Sequence, residues 1–182
     1  MTPTRAILLL TGIVTLLALG GCTRDFAEPR AFACPVTAID DFRNVSAVLE
    51  KRCGSLDCHG NLARPLRIMG SNGLRLYTPE EFDDPSLAED AGMIPGGLTG
   101  TTDRELEQNR ESICGIEPER TEQVVLGELE PEELMVIRKP TLRERHKGSQ
   151  VFLKGGAGEA CVASWLTGEV IVADCLEALQ AP

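Results

Sequence analysis

The densest group of reactive side chains lies in the stretch Cys53-Gly-Ser-Leu-Asp-Cys58-His59-Gly60. Four residues separate its two thiols, and one of the chain's two histidines directly follows the second thiol. Thiols and an imidazole at this spacing support three kinds of chemistry: a disulfide, a metal site, or covalent attachment of haem. The surrounding elements and the compartment in which the chain works discriminate among them.

Covalent haem attachment needs two thiols that add to the two vinyl groups and an imidazole beside the second thiol. The usual spacing is Cys-x2-Cys-His, whereas Cys53 and Cys58 have four residues between them. The two additional residues must loop out, and Gly54 favours such a loop because it lacks a side chain. The stretch therefore predicts a haem attachment site with a widened spacing.

An amphipathic helix is predicted to deliver the first thiol. Asp40 or Asp41 can cap a helix that runs from Phe42 to about Arg52, immediately before Cys53. Lys51 and Arg52 stand in its last turn, where positive charge complements the helix dipole. Its apolar face is formed by residues at helical spacing, namely Phe42, Val45, Val48 and Leu49.

The remainder of the chain predicts short helices joined by irregular segments. A turn is indicated at 70–73, where it could connect a short strand pair, and the segment 83–100 is predicted to be a loop. The segment 124–126 fits a helix and a strand equally, and 150–153 is predicted to be extended. Further helices are predicted from Thr78, at 102–114 on the surface, from Glu130 through Ile137, and at 158–166 and 172–179. The expected fold class is mainly α, a small helical domain with long irregular loops and room for one short hairpin.

The N-terminal segment has the pattern of an export signal. Residues 1–21 contain one basic residue, Arg5, followed by an apolar run too short to span a bilayer. The run ends in Leu19-Gly20-Gly21-Cys22, which resembles the lipobox of bacterial lipoproteins. The expected organisation is a lipoprotein signal peptide (1–21), a lipid-anchored tether (22–36) and one domain (37–182).

The lipobox resemblance implies where the protein works. It implies that Cys22 carries lipid and becomes the new N-terminus, with an ordinary signal peptide as the alternative reading. Because Thr23 rather than Asp follows Cys22, it further implies the outer membrane, facing the periplasm. The formal net charge of −10 argues against nucleic acid, whose phosphates need a basic surface, and suits a soluble body or one that docks a basic partner.

Six cysteines remain after Cys22, in an oxidising compartment where disulfides persist. Either all six form three disulfides, or Cys53 and Cys58 hold haem and the other four form two; the count favours neither. Cys161–Cys175 is the preferred pair, because it closes a short loop around a helix and a turn, which leaves Cys34–Cys114 in the haem partition. Four cysteines allow three connectivities, so the other pairings stay open.

Two stretches resemble bacterial cytochrome c-like domains. The first is the helix from Phe42 leading to Cys53, Cys58, His59 and a following glycine. The second is Arg138-Lys139-Pro140, then His146-Lys147-Gly148, then a segment with Cys161 and Ser164-Trp165-Leu166, which resembles a recurring ending of those domains. Together they cover about a third of the mature chain and imply a covalent haem c held by Cys53 and Cys58.

The same resemblance implies the iron ligands. His59 is expected as the proximal ligand and His146 as the distal ligand, with Met93, in Met-Ile-Pro, as the alternative. Met69 and Met135 are weaker candidates, since Met135 lies on a predicted helix where a core position is expected. Three arginines could pair with the haem propionates, although each also fits plain surface charge: Arg64, Arg67 and Arg75.

The sequence thus predicts a lipid-anchored haem protein that transfers single electrons with a redox protein partner and has no substrate-transforming site. Two alternatives remain. The first is a disulfide-stapled lipoprotein without haem, a binding or structural module in which Cys53 pairs with Cys58. The second is a zinc site built from Cys53, Cys58, His59 and His146.

Overall fold

The computed structural model describes residues 30–84, 93–94 and 98–181. The signal peptide, Cys22 and most of the tether therefore lie outside the described residues. Contacts group Phe32–Pro182 into one compact unit. Its elements are α1 (Ile39–Cys53), α2 (Pro79–Asp83), β1 (Met93–Ile94), β2 (Leu98–Thr99), α3 (Asp103–Cys114), α4 (Pro118–Val125), a 3-10 turn (Pro131–Glu133), α5 (Met135–Arg138), α6 (Ala157–Leu166) and α7 (Val172–Gln180). The predicted mainly α-helical fold class is confirmed.

Helix α1 is the central element of the core. Its residues Phe42, Val45 and Val48 are fully buried, and the helix packs against α3, α6 and α7. Phe42 contacts the buried Trp165 of α6, with ring centroids 4.8 Å apart. Because α1 ends at Cys53, this packing fixes the position of the first thiol of the motif.

The starts of two helices follow the predicted capping chemistry. Thr78 and Glu81 form a capping box at α2, and Thr102 and Glu105 form another at α3. The ambiguous segment at 124–126 is helical through Val125, as the last turn of α4. These local patterns were sufficient to place the helices because side chains close in sequence satisfy the free backbone groups of each first turn.

Helix α3 is not confined to the surface, as its sparse apolar residues suggested. Glu105 and Asn109 are fully buried beside Leu106 and Ile113. The Asn109 side chain accepts from the amide of Met69 at 2.6 Å and donates to the carbonyl of the same residue at 2.8 Å. Buried polar side chains with hydrogen-bond partners therefore take the place of the missing apolar face.

Three segments differ from their predicted structure. The segment from Glu130 through Ile137 is not one helix, because Leu134 is extended (ψ 144°) between the 3-10 turn and α5. The segment 83–100, predicted as a loop, contains the antiparallel pair β1–β2. The turn at 70–73 is flanked by only one isolated bridge, between Met69 and Leu74.

Candidate functional site

The two histidines of the chain, far apart in sequence, face the same cavity. His59 follows the thiol loop after α1, and His146 lies in the irregular segment after α5. Their ring centroids are 6.4 Å apart and their planes differ by 6°. The two rings are therefore nearly parallel across the site.

Both imidazoles are held by backbone carbonyls. Nδ1 of His59 lies 3.0 Å from the carbonyl oxygen of Leu66, and Nδ1 of His146 lies 2.9 Å from that of Ser149. A carbonyl can only accept, so each Nδ1 carries the proton. In the neutral ring Nε2 then keeps its lone pair, which is the arrangement that metal-ligating histidines use.

The two imidazoles lie where one group bound in the cavity could contact both of them. Their ring centroids are 6.4 Å apart, and both residues line the same cavity. His59 and His146 are therefore two residues of this site whose side chains could ligate a metal or cofactor.

Burial favours the neutral, ligating form of His59. Removal from water lowers the pKa of this imidazole below its ordinary 6.5, against the Leu66 hydrogen bond, which raises it. The nearby charges of His146 and Arg64 also lower it. A lone pair on Nε2 is therefore present at neutral pH.

The cavity between the histidines has a volume of about 540 Å³, within the range of about 300–1,000 Å³ found for cofactor sites. Apolar side chains of Leu66, Met135 and Val136 form much of its wall. Four cations and no carboxylate also line it: Arg64, Lys139, Arg145 and Lys147. An apolar slot with a cationic edge matches the flat apolar ring and anionic propionates of haem.

Cys53 and Cys58 are both free thiols, and each residue is half-buried. Burial raises the pKa of the Cys53 thiol to about 12, with a smaller contribution from the nearby Cys58, so Cys53 stays protonated. Neither thiol is among the residues lining the cavity. Cys58 directly precedes His59, which does line the cavity. The two thiols are therefore next to the cavity in sequence without forming part of its wall.

The other four described cysteines pair as Cys34–Cys114 and Cys161–Cys175, the pairing that the sequence predicts for the haem partition. Cys53 and Cys58 are the two described cysteines without a disulfide. No group of three or more metal-ligating side chains lies within the described residues. The proposed zinc site with four ligands therefore finds no assembled counterpart in the described part of the chain.

The remaining predicted site residues divide between the cavity and other places. Arg64 lines the cavity, as does Met135, which the sequence ranked low. Arg75 instead lies in an ion pair with the buried Glu105 at 2.9 Å and over the ring of Tyr77. Met69 is buried, and the side chain of Met93 lies outside the described residues although its backbone is in β1.

Several cavity residues were not predicted to line a site. Lys139 and Lys147 belong to the stretch that resembles the ending of cytochrome c-like domains, but neither they nor Arg145 were named as site residues. Ile116 and Val136 join the wall through folding, with no local pattern to mark them.

None of the described helices is both long and apolar enough to cross a membrane.

Comparisons with protein-family models, curated proteins and solved structures found no match to the chain.

Proposed function

We propose that this protein is a lipid-anchored c-type haem protein that transfers single electrons in the periplasm or at the outer membrane. The carrying observation is the near-parallel pair of His59 and His146, 6.4 Å apart across a cavity of cofactor size. The adjacent Cys53 and Cys58, left free while the other described cysteines pair, are the attachment residues. Lipid on Cys22 provides the anchor, and a redox protein is the partner.

The chain supplies attachment, ligation and charge compensation. In the proposed attachment, the thiols of Cys53 and Cys58 would each add across one vinyl group: sulfur would bond to one carbon and the thiol hydrogen would go to the other, with no electron gained or lost. His59 and His146 each offer Nε2 because their Nδ1–H groups are engaged by carbonyls. Bound haem supplies reversible one-electron exchange at iron.

If His59 and His146 both bound the iron, they would leave no open position for a substrate, which is why the proposed function is electron transfer and not transformation of a substrate. A pair of histidines gives a lower potential than a His/Met pair. The role proposed for Arg64, Arg145 and Lys147 is to compensate the propionates. Lys139 is less available because it pairs with Glu144 at 2.7 Å.

The test is covalent retention of haem. The full chain is expressed together with cytochrome c maturation factors, denatured, separated on a gel and stained for haem peroxidase activity. The proposal expects stain at the mass of the mature chain and its loss in Cys53→Ala/Cys58→Ala. The Cys161→Ser/Cys175→Ser variant serves as a matched cysteine control that keeps the stain.

An unstained band with Cys53 and Cys58 joined would instead favour the second candidate, a disulfide-stapled binding or structural lipoprotein without haem. Two disulfides already stabilise the fold, Cys34–Cys114 and Cys161–Cys175. That observation supports the second candidate, since a third disulfide would complete the set in an oxidising compartment.

A further inference from the structure

The widened loop between the two thiols is closed by its own backbone. The amide of His59 donates to the carbonyl of Cys53 at 2.9 Å, which brings the chain back to the end of α1. Inside the loop, the amides of Cys58 and Gly60 both donate to the carbonyl of Ser55 at 2.9 Å. The extra residues are thus folded into a compact turn.

The next three carbonyls point to two side chains that follow the loop. Nδ2 of Asn61 donates to the carbonyl of Leu56 at 3.2 Å. The guanidinium of Arg64 spans two consecutive carbonyls, with Nη2 on Asp57 and Nε on Cys58, both at 3.2 Å. The Asn61 side chain is itself oriented, because its Oδ1 accepts from the amide of Ala63 at 2.9 Å.

The remaining carbonyl of the loop, that of Gly54, is packed against backbone. A Cβ atom at Gly60 or Gly73 would lie 2.0 Å from its oxygen, so only glycine fits at either place. Each carbonyl from Cys53 through Cys58 is therefore either hydrogen-bonded or tightly packed. The side chains of Ser55, Leu56 and Asp57 are exposed, so the additional residues of the widened spacing lie at the surface.

We propose that Asn61 and Arg64 are positioning residues that hold this loop so that Cys53 and Cys58 both reach their vinyl groups despite the widened spacing. The inference rests on the proposed function and deepens it. Two additions to one rigid ring require both sulfurs at fixed places, and orientation of this kind is what positioning groups contribute to a reaction. Arg64 acts here through its fork of donors as well as through its charge.

The discriminating variant is Arg64→Lys, which keeps the charge at the cavity but replaces the planar fork, with Nε on Cys58 and Nη2 on Asp57, by a single ammonium nitrogen. Arg67→Lys is the matched control. Nε of Arg67 donates to the carbonyl of Arg64, and the backbone amide of Arg67 donates to Oγ of Ser112, so neither group bonds a carbonyl between the two thiols. Asn61→Ala removes the other donor. Circular dichroism first establishes that each variant is folded.

The first readout uses the haem-free, reduced chain and follows hydrogen exchange at the amides of Cys58, His59 and Gly60. We expect exchange to become about fivefold faster in Arg64→Lys and in Asn61→Ala, the effect of losing one or two net hydrogen bonds. Arg67→Lys should leave it unchanged. Equal exchange in all four proteins would overturn the proposal.

The second readout counts thioether bonds in the haem-loaded chain by the pyridine haemochrome spectrum, which separates attachment at one vinyl group from attachment at two. Arg64→Lys should shift the product from two bonds toward one. Undiminished double attachment in Arg64→Lys and Asn61→Ala would also overturn the proposal. If no variant and no wild-type chain binds haem, the proposed function fails, and the exchange measurement still decides whether the two residues hold the loop.

Discussion

At the scale of single residues, Gly148 determines where the His146 ring can lie. A Cβ atom built at this glycine would be 2.9 Å from Cε1 of the ring and 3.4 Å from each ring nitrogen. The neighbouring Ser149 has φ 61°, and this left-handed conformation accompanies the contact of its carbonyl with Nδ1 of His146. The turn thus fixes both the position and the tautomer of His146.

Replacing Gly148 with alanine is therefore expected to push the imidazole away from His59. Groups that orient a metal ligand are worth about 10–100-fold in metal affinity. In the proposed haem protein, the variant should therefore contain haem whose iron has lost His146 as a ligand. The visible spectrum of the loaded protein measures the change. Addition of free imidazole should restore the wild-type spectrum.

Gly127→Ala provides the matched control for that substitution. Gly127 has φ 72°, and nothing lies within 4 Å of a Cβ built there. The control should lower the free energy of unfolding by about 1 kcal/mol through backbone strain while the haem spectrum stays as in the wild type. A spectral change in both variants would contradict the specific role of Gly148.

Among single residues, Glu50 is expected to give the clearest pH dependence of folding stability. Its carboxyl lies in the core side of α1, where Ser46 donates to one oxygen at 2.8 Å and Thr101 to the other at 2.5 Å. Burial nevertheless raises the pKa of Glu50 above the ordinary 4.5. The folded chain therefore binds this proton more tightly than the unfolded chain does.

The sign of the effect follows from linkage. Between pH 4.5 and the raised pKa, the folded state holds more protons, so the contribution of Glu50 to stability falls as the pH rises. The stability of the wild type relative to Glu50→Gln should consequently decrease between pH 4.5 and pH 7, which urea unfolding at several pH values measures. A constant difference between the two proteins across this range would show that Glu50 has an ordinary pKa.

At the scale of elements, α1 joins the core to the thiol motif. Phe42 is fully buried against Trp165, so Phe42→Ala removes a large side chain from the centre of the packing. Truncations of this kind cost about 3–5 kcal/mol. Urea unfolding should show that loss of stability.

An exposed leucine in the thiol loop supplies the comparison for Phe42→Ala. Leu56 is 62% exposed, and Leu56→Ala should alter the free energy of unfolding by at most about 0.5 kcal/mol. Similar losses in the two variants would contradict the placement of α1 at the centre of the core.

The elements also show what sequence reasoning can reach. Capping boxes at Thr78 and Thr102 predicted helix starts because all their groups lie within four residues of one another. The break at Leu134 was missed because no proline or glycine stands there. The amide of the next residue, Met135, donates to the carboxylate of Glu117, which belongs to an earlier segment of the chain. The burial of Asn109 was missed for a related reason: its partner, the backbone of Met69, belongs to a distant segment.

At the scale of the whole molecule, two disulfides constrain the chain over different distances. Cys34–Cys114 spans 80 residues and Cys161–Cys175 spans 14. In the chain-entropy model the longer loop stabilises by about 4.5 kcal/mol and the shorter one by about 3 kcal/mol. Cys34→Ser/Cys114→Ser should therefore lower the free energy of unfolding more than Cys161→Ser/Cys175→Ser does.

Urea unfolding of the two double variants, both without reductant, measures this difference. The opposite order would indicate that local packing around Cys161 and Cys175, both fully buried, outweighs loop entropy. Haem attachment should survive in each folded variant, because neither disulfide includes a residue of the proposed attachment site.

The candidate site is a property of the whole fold, and the sequence predicted it in part. The thiols and both histidines were predicted from a motif and a family resemblance, and both signals depend on residues that are close together in sequence. The parallel arrangement of His59 and His146 depends on carbonyls of Leu66 and Ser149 that no pattern marks. Met135 reaches the cavity because α5 is a short helix after an extended residue, a geometry that helical periodicity does not contain.

The most direct measurement of the central claim is the electron paramagnetic resonance spectrum of the oxidised mature chain, expressed with cytochrome c maturation factors. If His59 and His146 bind one iron from opposite sides with nearly parallel rings, the ferric protein gives a rhombic low-spin signal typical of two parallel imidazoles, and His146→Ala converts it to high spin. A high-spin signal in the wild type, a low-spin signal unchanged by His146→Ala, or the absence of a haem signal would contradict the account.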